Sequence, residues 1–229
     1  MTPRAVLWDL DGTLADTEPL HALAFDEAIS GLGLTVPEGF HDSLLGVSEQ
    51  EVFESLVAKT GASIDLATWR LAKFSHFSKR PQMVGLRPDV GNLPEKLFAL
   101  NVPMAVVSNS TRDEVAFILK ASGLDKYFKH TFSRADVASG KPAPDSYLLA
   151  ASTLECAPSD CLVVEDSRVG STAGINAGMT VIFHPQAASD DIPAGTRYLP
   201  PTEPLWPVLT QWLGLTDQAA QPIRIETGT

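Results

Sequence analysis

The chain reads as an α/β protein, with a Rossmann-like parallel sheet carrying helices on both faces and a small helical cap inserted after the first strand. Three observations predict this. Short apolar runs with little alternation occur at Ala5–Asp9, Met104–Ser108, Cys161–Glu165 and Thr180–Phe183, as strands buried on both faces require. Segments of helical period separate the later runs, so successive strands lie parallel, joined by helical crossovers. Between residues 16 and 86 this alternation stops and helical patterns alone remain.

Taken in order, the first strand ends in acid at Asp9, and the helical segment follows. Leu20, Leu23, Ala24 and Ala28 share one helical face. Ser48 and Glu51 form a capping-box pattern ahead of Val52, Phe53, Leu56 and Val57. Asp65 is placed to cap a third helix bearing Leu66, Trp69 and Phe74. The core resumes near Gly85-Leu86-Arg87-Pro88. A helix is expected from near Arg112 to Ser122, stopped by Gly123. Thr131-Phe132 fits a further short strand, one helix follows Asp145, and another ends at Gly178. The expected division is residues 1–15 and 87–216 as the α/β core, 16–86 as the cap, and 217–229 as a tail without clear period.

Size and composition narrow the function. A chain of 229 residues with 44% hydrophobic and 20% charged residues buries a real core. Its net charge of -11 and scattered Lys and Arg argue against nucleic acid as a partner. An acidic protein that handles a small anion needs local positive potential, which a divalent cation supplies. No stretch approaches the ~18 apolar residues of a membrane span, and Met1-Thr2-Pro3-Arg4 leads into a run shorter than a signal peptide. Cys156 and Cys161 fit neither a disulfide framework nor a zinc site. A cytoplasmic, membrane-free protein, monomeric or a small homo-oligomer, is expected.

Four motifs follow the expected strands. Asp9-Leu10-Asp11-Gly12-Thr13 sets two carboxylates at a strand end before a turn. In open parallel sheets ligands gather beyond the carboxyl ends of strands, and Gly12 lets backbone N–H groups approach an anion. An ordinary Asp-Gly turn is the plainer alternative. Ser108-Asn109-Ser110 offers a hydroxyl and amides to a phosphate oxygen, or is simple loop chemistry. Lys141, before Pro142, presents one stiffened positive charge or an exposed loop lysine. Glu165-Asp166 puts adjacent carboxylates at a strand end, costly without a cation and suited to Mg²⁺. It also reads as a helix start with Asp166 or Ser167 as N-cap.

The order of Asp pair, Ser, Lys and acid pair resembles the haloacid dehalogenase-like superfamily. It is most similar to the helical-cap branch of phosphoglycolate phosphatases, sugar phosphatases and β-phosphoglucomutases. The resemblance covers nearly the whole chain apart from the tail. It implies Asp9 as nucleophile, forming an aspartyl-phosphate, and Asp11 as acid/base, its backbone carbonyl also on the metal. Gly12, Thr13, Ser108 and Asn109 match the phosphate-holding loops, and Lys141 the catalytic lysine. Asp166 and Glu165 match the Mg²⁺-binding acids beside Asp9. An acid at position 11 favours an oxygen leaving group.

The implied activity is a Mg²⁺-dependent phosphatase acting on a small phosphorylated metabolite, of sugar-phosphate or phosphoglycolate type. A β-phosphoglucomutase-type phosphomutase is the alternative enzyme, and a binding protein on a retired scaffold the alternative class. The cap is expected to close over the site. Thr17, Glu18 and His21 follow the catalytic loop closely enough to reach the leaving group, although His21 also reads as a helix-face residue. Leu45-Gly46-Val47-Ser48 resembles a mutase cap loop, but Glu49 stands where the mutases continue with an Arg for the second phosphate. His76, Lys79 and Arg80 read as cap contacts or as a solvated basic helix end.

Overall fold

The computed structural model of the chain describes residues 4–41, 44 and 49–215. The expected Leu45–Ser48 loop, the Ser48 capping box and the 217–229 tail lie outside the described residues. Strand β1 (Ala5–Trp8) is followed by a two-residue strand β2 (Ala15–Asp16), helices α1 (Glu18–Gly31), α2 (Glu49–Thr60) and α3 (Leu66–Phe77), and the short β3 (Gly85–Leu86). The remainder alternates: α4 (Leu93–Ala99), β4 (Met104–Val107), α5 (Arg112–Ser122), β5 (Thr131–Phe132), α6 (Asp145–Thr153), β6 (Cys161–Glu165), α7 (Arg168–Asn176), β7 (Thr180–Phe183), β8 (Arg197–Tyr198) and α8 (Leu205–Leu213). The sequence reading did not anticipate α4, β8 or α8.

The main sheet has the order β5-β4-β1-β6-β7-β8, and every pairing in it is parallel. Successive side chains along a strand point to opposite faces. Val6 and Trp8 of β1 accordingly enter one hydrophobic cluster with Val106 and Val164. Ala5 and Leu7 enter another with Ala105, Val107 and Val163. Both faces are covered, so the strands read as unbroken apolar runs. A fully buried side chain such as Leu7 contributes roughly 1.5–3 kcal/mol relative to exposure.

Helices α1 to α3 lie between β2 and β3, which pair antiparallel with Ala15 opposite Leu86 and Asp16 opposite Gly85. Together they hold a third cluster around Phe25, Ala28, Ile29, Leu56 and Trp69. The buried face of α1 is broader than its expected one: Phe25 and Ile29 are buried, whereas Leu23 is half-exposed. Asp65 caps α3 as expected, accepting from the Thr68 N–H at 2.8 Å. Thr111 and Glu114 form a reciprocal capping box on α5, and Gly123 ends that helix at φ +69°. No helix among the described residues is long and apolar enough to cross a membrane.

Candidate active site

Strand β1 sits between β4 and β6, so the residues just past these three strands converge. They are Asp9, Ser108 and Asp166. The Asp9 N–H donates to the Val164 carbonyl at 3.1 Å, carrying the β1–β6 ladder one residue further. Lys141 arrives from the loop before α6 and is 5% exposed. Its ammonium donates to Asp9 Oδ1 at 2.6 Å, Glu165 Oε1 at 2.6 Å and the Val107 carbonyl at 2.8 Å. All three of its donors are thereby satisfied, and it lies 4.9 Å from the Tyr147 ring centroid.

Asn109 secures this lysine through the backbone. Its side-chain amide donates to the Lys141 carbonyl at 3.0 Å and accepts from the Lys141 N–H at 2.9 Å. Ser108 Oγ accepts from the Ser110 N–H at 2.9 Å, which orients the hydroxyl toward Asp11.

Glu165 and Asp166 part company. Glu165 is fully buried; besides Lys141, it accepts from the Tyr147 hydroxyl at 2.8 Å and from Ser167 Oγ at 2.9 Å. A Cβ at Gly170 would meet its Oε1 at 1.7 Å. Asp166 instead faces the cavity and accepts from Thr13 Oγ1 at 2.9 Å. Gly12, at φ +79°, lies directly beneath it: a Cβ there would sit 2.1 Å from Asp166 Oδ2.

Carboxylate oxygens of Asp9, Glu165 and Asp166 all lie within 4.8 Å of one another. Burial and the Glu165 charge raise Asp9 well above the usual carboxylate range, against the opposing pull of Lys141. Burial and Glu165 push Asp166 up to about 7. Burial works against the charge on Lys141, but Asp9 and Glu165 outweigh it and hold the lysine above its ordinary value. Three hard oxygen donors that repel each other this strongly fit a divalent cation such as Mg²⁺.

Asp11 sits in the opposite environment, two residues along. Its Oδ1 accepts from Thr17 Oγ1 at 2.7 Å and contacts His21 Nε2 at 3.0 Å; its Oδ2 accepts from Ser110 Oγ at 2.7 Å and Ser108 Oγ at 3.4 Å. Burial raises its pKa, but the bonds and charge from His21, with Thr17 and Ser110, outweigh this and hold it well below the usual range. Thr17 therefore gives its hydroxyl to Asp11 rather than capping α1, and His21 contacts the loop from the next turn. The Asp11 side chain lies outside the acidic cluster.

The cavity in front of these groups measures about 290 Å³. Its far wall comes from the insert: Glu18, Phe25, His41, Glu49 and Lys73. Lys73 reaches from α3 to Glu114 on α5, 3.4 Å away. His76 and Arg80 do not line the cavity; both pair with Glu27 of α1. Ser110, Lys73, Glu114 and Tyr147 are the parts of the site that the motif reading did not assign. Of these, Ser110 stood inside the quoted Ser-Asn-Ser motif.

Residues 6–184 match the family described as haloacid dehalogenase-like hydrolase. The chain belongs to that family. This hydrolase is 29% identical over 187 residues to the β-phosphoglucomutase of Bacillus subtilis, covering 78% of this chain and 82% of that protein. It is 29% identical over 182 residues to a phosphorylated carbohydrates phosphatase of Thermotoga maritima, covering 78% and 83%. Among solved structures, CbbY of Rhodobacter sphaeroides in complex with xylulose 1,5-bisphosphate superposes with a TM-score of 0.78 at 27% identity, covering 87% and 94%.

Proposed function

We propose that this haloacid dehalogenase-like phosphate-monoester hydrolase acts on a small phosphorylated sugar or similar metabolite through an aspartyl-phosphate on Asp9. The observation that carries the reading is the buried Lys141 bridge. It holds Asp9 and Glu165 at 2.6 Å each, with Asp166 opening into the same cavity. Such a cluster is electrostatically costly as pure scaffold and productive opposite a phosphate.

Asp9 attacks phosphorus, and the bond from phosphorus to the leaving oxygen breaks. Asp11, ionised in the free site, takes up a proton with the incoming phosphate ester and gives it to that oxygen. Water then loses a proton to Asp11 and attacks the aspartyl-phosphate, freeing Asp9 and inorganic phosphate. Lys141 holds Asp9 in place and offsets negative charge as phosphate arrives. The N–H groups of Thr13 and Asn109, with the Ser108 hydroxyl, hold the phosphate oxygens; those of Gly12 and Ser108 already donate to the Ala15 and Phe132 carbonyls, at 2.8 Å each. Thr17 and His21 set the direction of the Asp11 carboxyl. Asp9 and Asp166, with the Asp11 backbone carbonyl, are the residues that would hold Mg²⁺, with Glu165 behind them on Lys141 and Tyr147; the ion would supply charge compensation between substrate and carboxylates. Residues 16–86 act as the cap that excludes water. The setting is the cytoplasm.

Glu49 supports hydrolysis over mutation of phosphate position. It lines the cavity, and bonded to Arg70 at 2.8 Å it presents a second phosphate with no net positive charge. The similarity to the Bacillus mutase keeps a phosphomutase as the second reading. A panel of phosphate esters with Mg²⁺ tests both. Release of inorganic phosphate, abolished by Asp9→Asn, is the expected result. Isomerised phosphosugar from β-glucose 1-phosphate would establish the mutase, and full activity of the Asp9→Asn chain would remove Asp9 as nucleophile.

A further inference from the structure

Behind the catalytic turn lies a buried polar cluster that belongs to none of the four motifs. Arg87 follows β3, where the chain re-enters the core, and is 3% exposed. Its Nε and Nη2 grip Asp89 as a fork, at 3.1 Å from Oδ1 and 2.6 Å from Oδ2. Its Nη1 donates to two carbonyls, Gly12 at 3.0 Å and His184 at 2.7 Å. His184, just past β7 and buried, places Nε2 against Asp89 and Nδ1 2.9 Å from the Leu199 carbonyl. The Asp89–Arg87 fork is thus fixed to strand ends β7 and β8, and its free edge reaches the carbonyl of the glycine on which Asp166 rests.

A buried guanidinium needs more than one carboxylate to offset its desolvation. Here two of its bonds go to backbone carbonyls, and one of those is in the catalytic turn. Gly12 leaves no slack: its Cα side is filled by Asp166 Oδ2, and Thr13, the next residue, bonds the other oxygen of that carboxylate at 2.9 Å. A shift of the Gly12 peptide therefore moves both supports of Asp166. Arg87 itself does not line the cavity. Gln186 also donates to the Gly12 carbonyl, at 3.3 Å, but from an exposed position.

We infer that Arg87 is a positioning residue for the cation site, fixing the Gly12–Thr13 turn so that Asp166 presents its carboxylate at the cavity. The inference rests on the reading of Asp166 as a cation ligand. Outer partners of metal ligands typically govern about 10–100-fold in metal affinity. The test is calorimetric titration of the chelator-treated full chain with MgCl₂, without substrate, for the parent, Arg87→Met, Arg87→Lys and Asp166→Asn. Expected is a loss of Mg²⁺ affinity of about 10-fold in folded Arg87→Met. Arg87→Lys, which retains charge but not the fork, should recover part of it, and Asp166→Asn should lose Mg²⁺ binding.

A purely structural arginine would lower the melting temperature and leave the Mg²⁺ affinity of the folded chain unchanged; that result overturns the inference. If Arg87→Met does not fold, Arg87→Lys decides, and parental affinity in it overturns the inference equally. Undiminished Mg²⁺ binding by Asp166→Asn would instead overturn the cation-site reading, and the role of Arg87 with it. Loss in Asp166→Asn alone would refute only the role of Arg87.

Discussion

Two ion pairs face each other across the cleft, nearly equal in length and very different in weight. On the core side, Lys141 and Asp9 meet at 2.6 Å with side-chain exposures of 3% and 11%. On the insert side, Arg70 and Glu49 meet at 2.8 Å with exposures of 39% and 17%. The first pair is embedded in strand ends, with each donor of the lysine bonded and Tyr147 and Asn109 holding the surroundings. The second joins α2 and α3 directly, at the edge of the solvent. Distance alone does not rank them; what surrounds the charges does. The core side holds a fixed constellation, whereas the insert side carries a partly exposed pair that is free to rearrange.

Breaking the core pair gives the largest effect. Lys141→Met leaves Asp9 and Glu165 buried without a counter-charge. It should cost about 3–5 kcal/mol in denaturant unfolding and abolish phosphate release. A loss under about 1 kcal/mol would mean that the lysine is dispensable to the fold and that the contrast with Arg70 is wrong.

A pH effect sharpens the contrast at intermediate size. Asp166 is pushed from 3.8 to about 7 in the folded, metal-free chain. The folded state then keeps a proton that the unfolded state releases above its own lower value. Stability therefore falls as pH rises from about 4 toward 7 and stays reduced above that. Asp166→Asn removes the penalty. With chelator at pH 8 the variant should melt above the parent by a few degrees, about 2–4 °C for each kcal/mol, and the gap should close near pH 4. Parallel melting curves of the two chains across this range would refute it.

The smallest effect is on the insert side. Arg70→Ala should cost at most about 1 kcal/mol while altering KM more than kcat for the preferred substrate. A stability loss matching that of Lys141→Met would erase the distinction between the walls.

This contrast also explains which parts were legible in the linear chain. Asp9 and Ser108 end apolar runs and Asp166 directly follows one, so strand identity alone put them at one edge. Lys141 was marked by its neighbouring Pro142. Adjacency made Glu165 and Asp166 look equivalent, but consecutive residues at a strand end point opposite ways. One turns inward to Lys141 and Tyr147, the other into the cavity. Lys73, Glu114 and Tyr147 carry no local signal. Each sits on a helix face with an ordinary local reading, and only the packing of α3, α5 and α6 brings them to the site. Arg87, Asp89 and His184 are invisible for the same reason: Arg87 and His184 are 97 residues apart. His76 and Arg80 looked available because nothing in their own stretch marks Glu27, 53 residues before Arg80, as their partner.

The two-rung ladder of β2 and β3 carries an evolutionary consequence. Ala15 faces Leu86 and Asp16 faces Gly85, so the polypeptide departs from the catalytic half and returns to it through adjacent doorposts. Anything threaded between those posts can grow, shrink or be exchanged while the order of the six parallel strands stays as it is. A lineage can thus trade one contiguous stretch of gene without redrawing the sheet, provided the replacement again supplies what Thr17 and His21 give to Asp11.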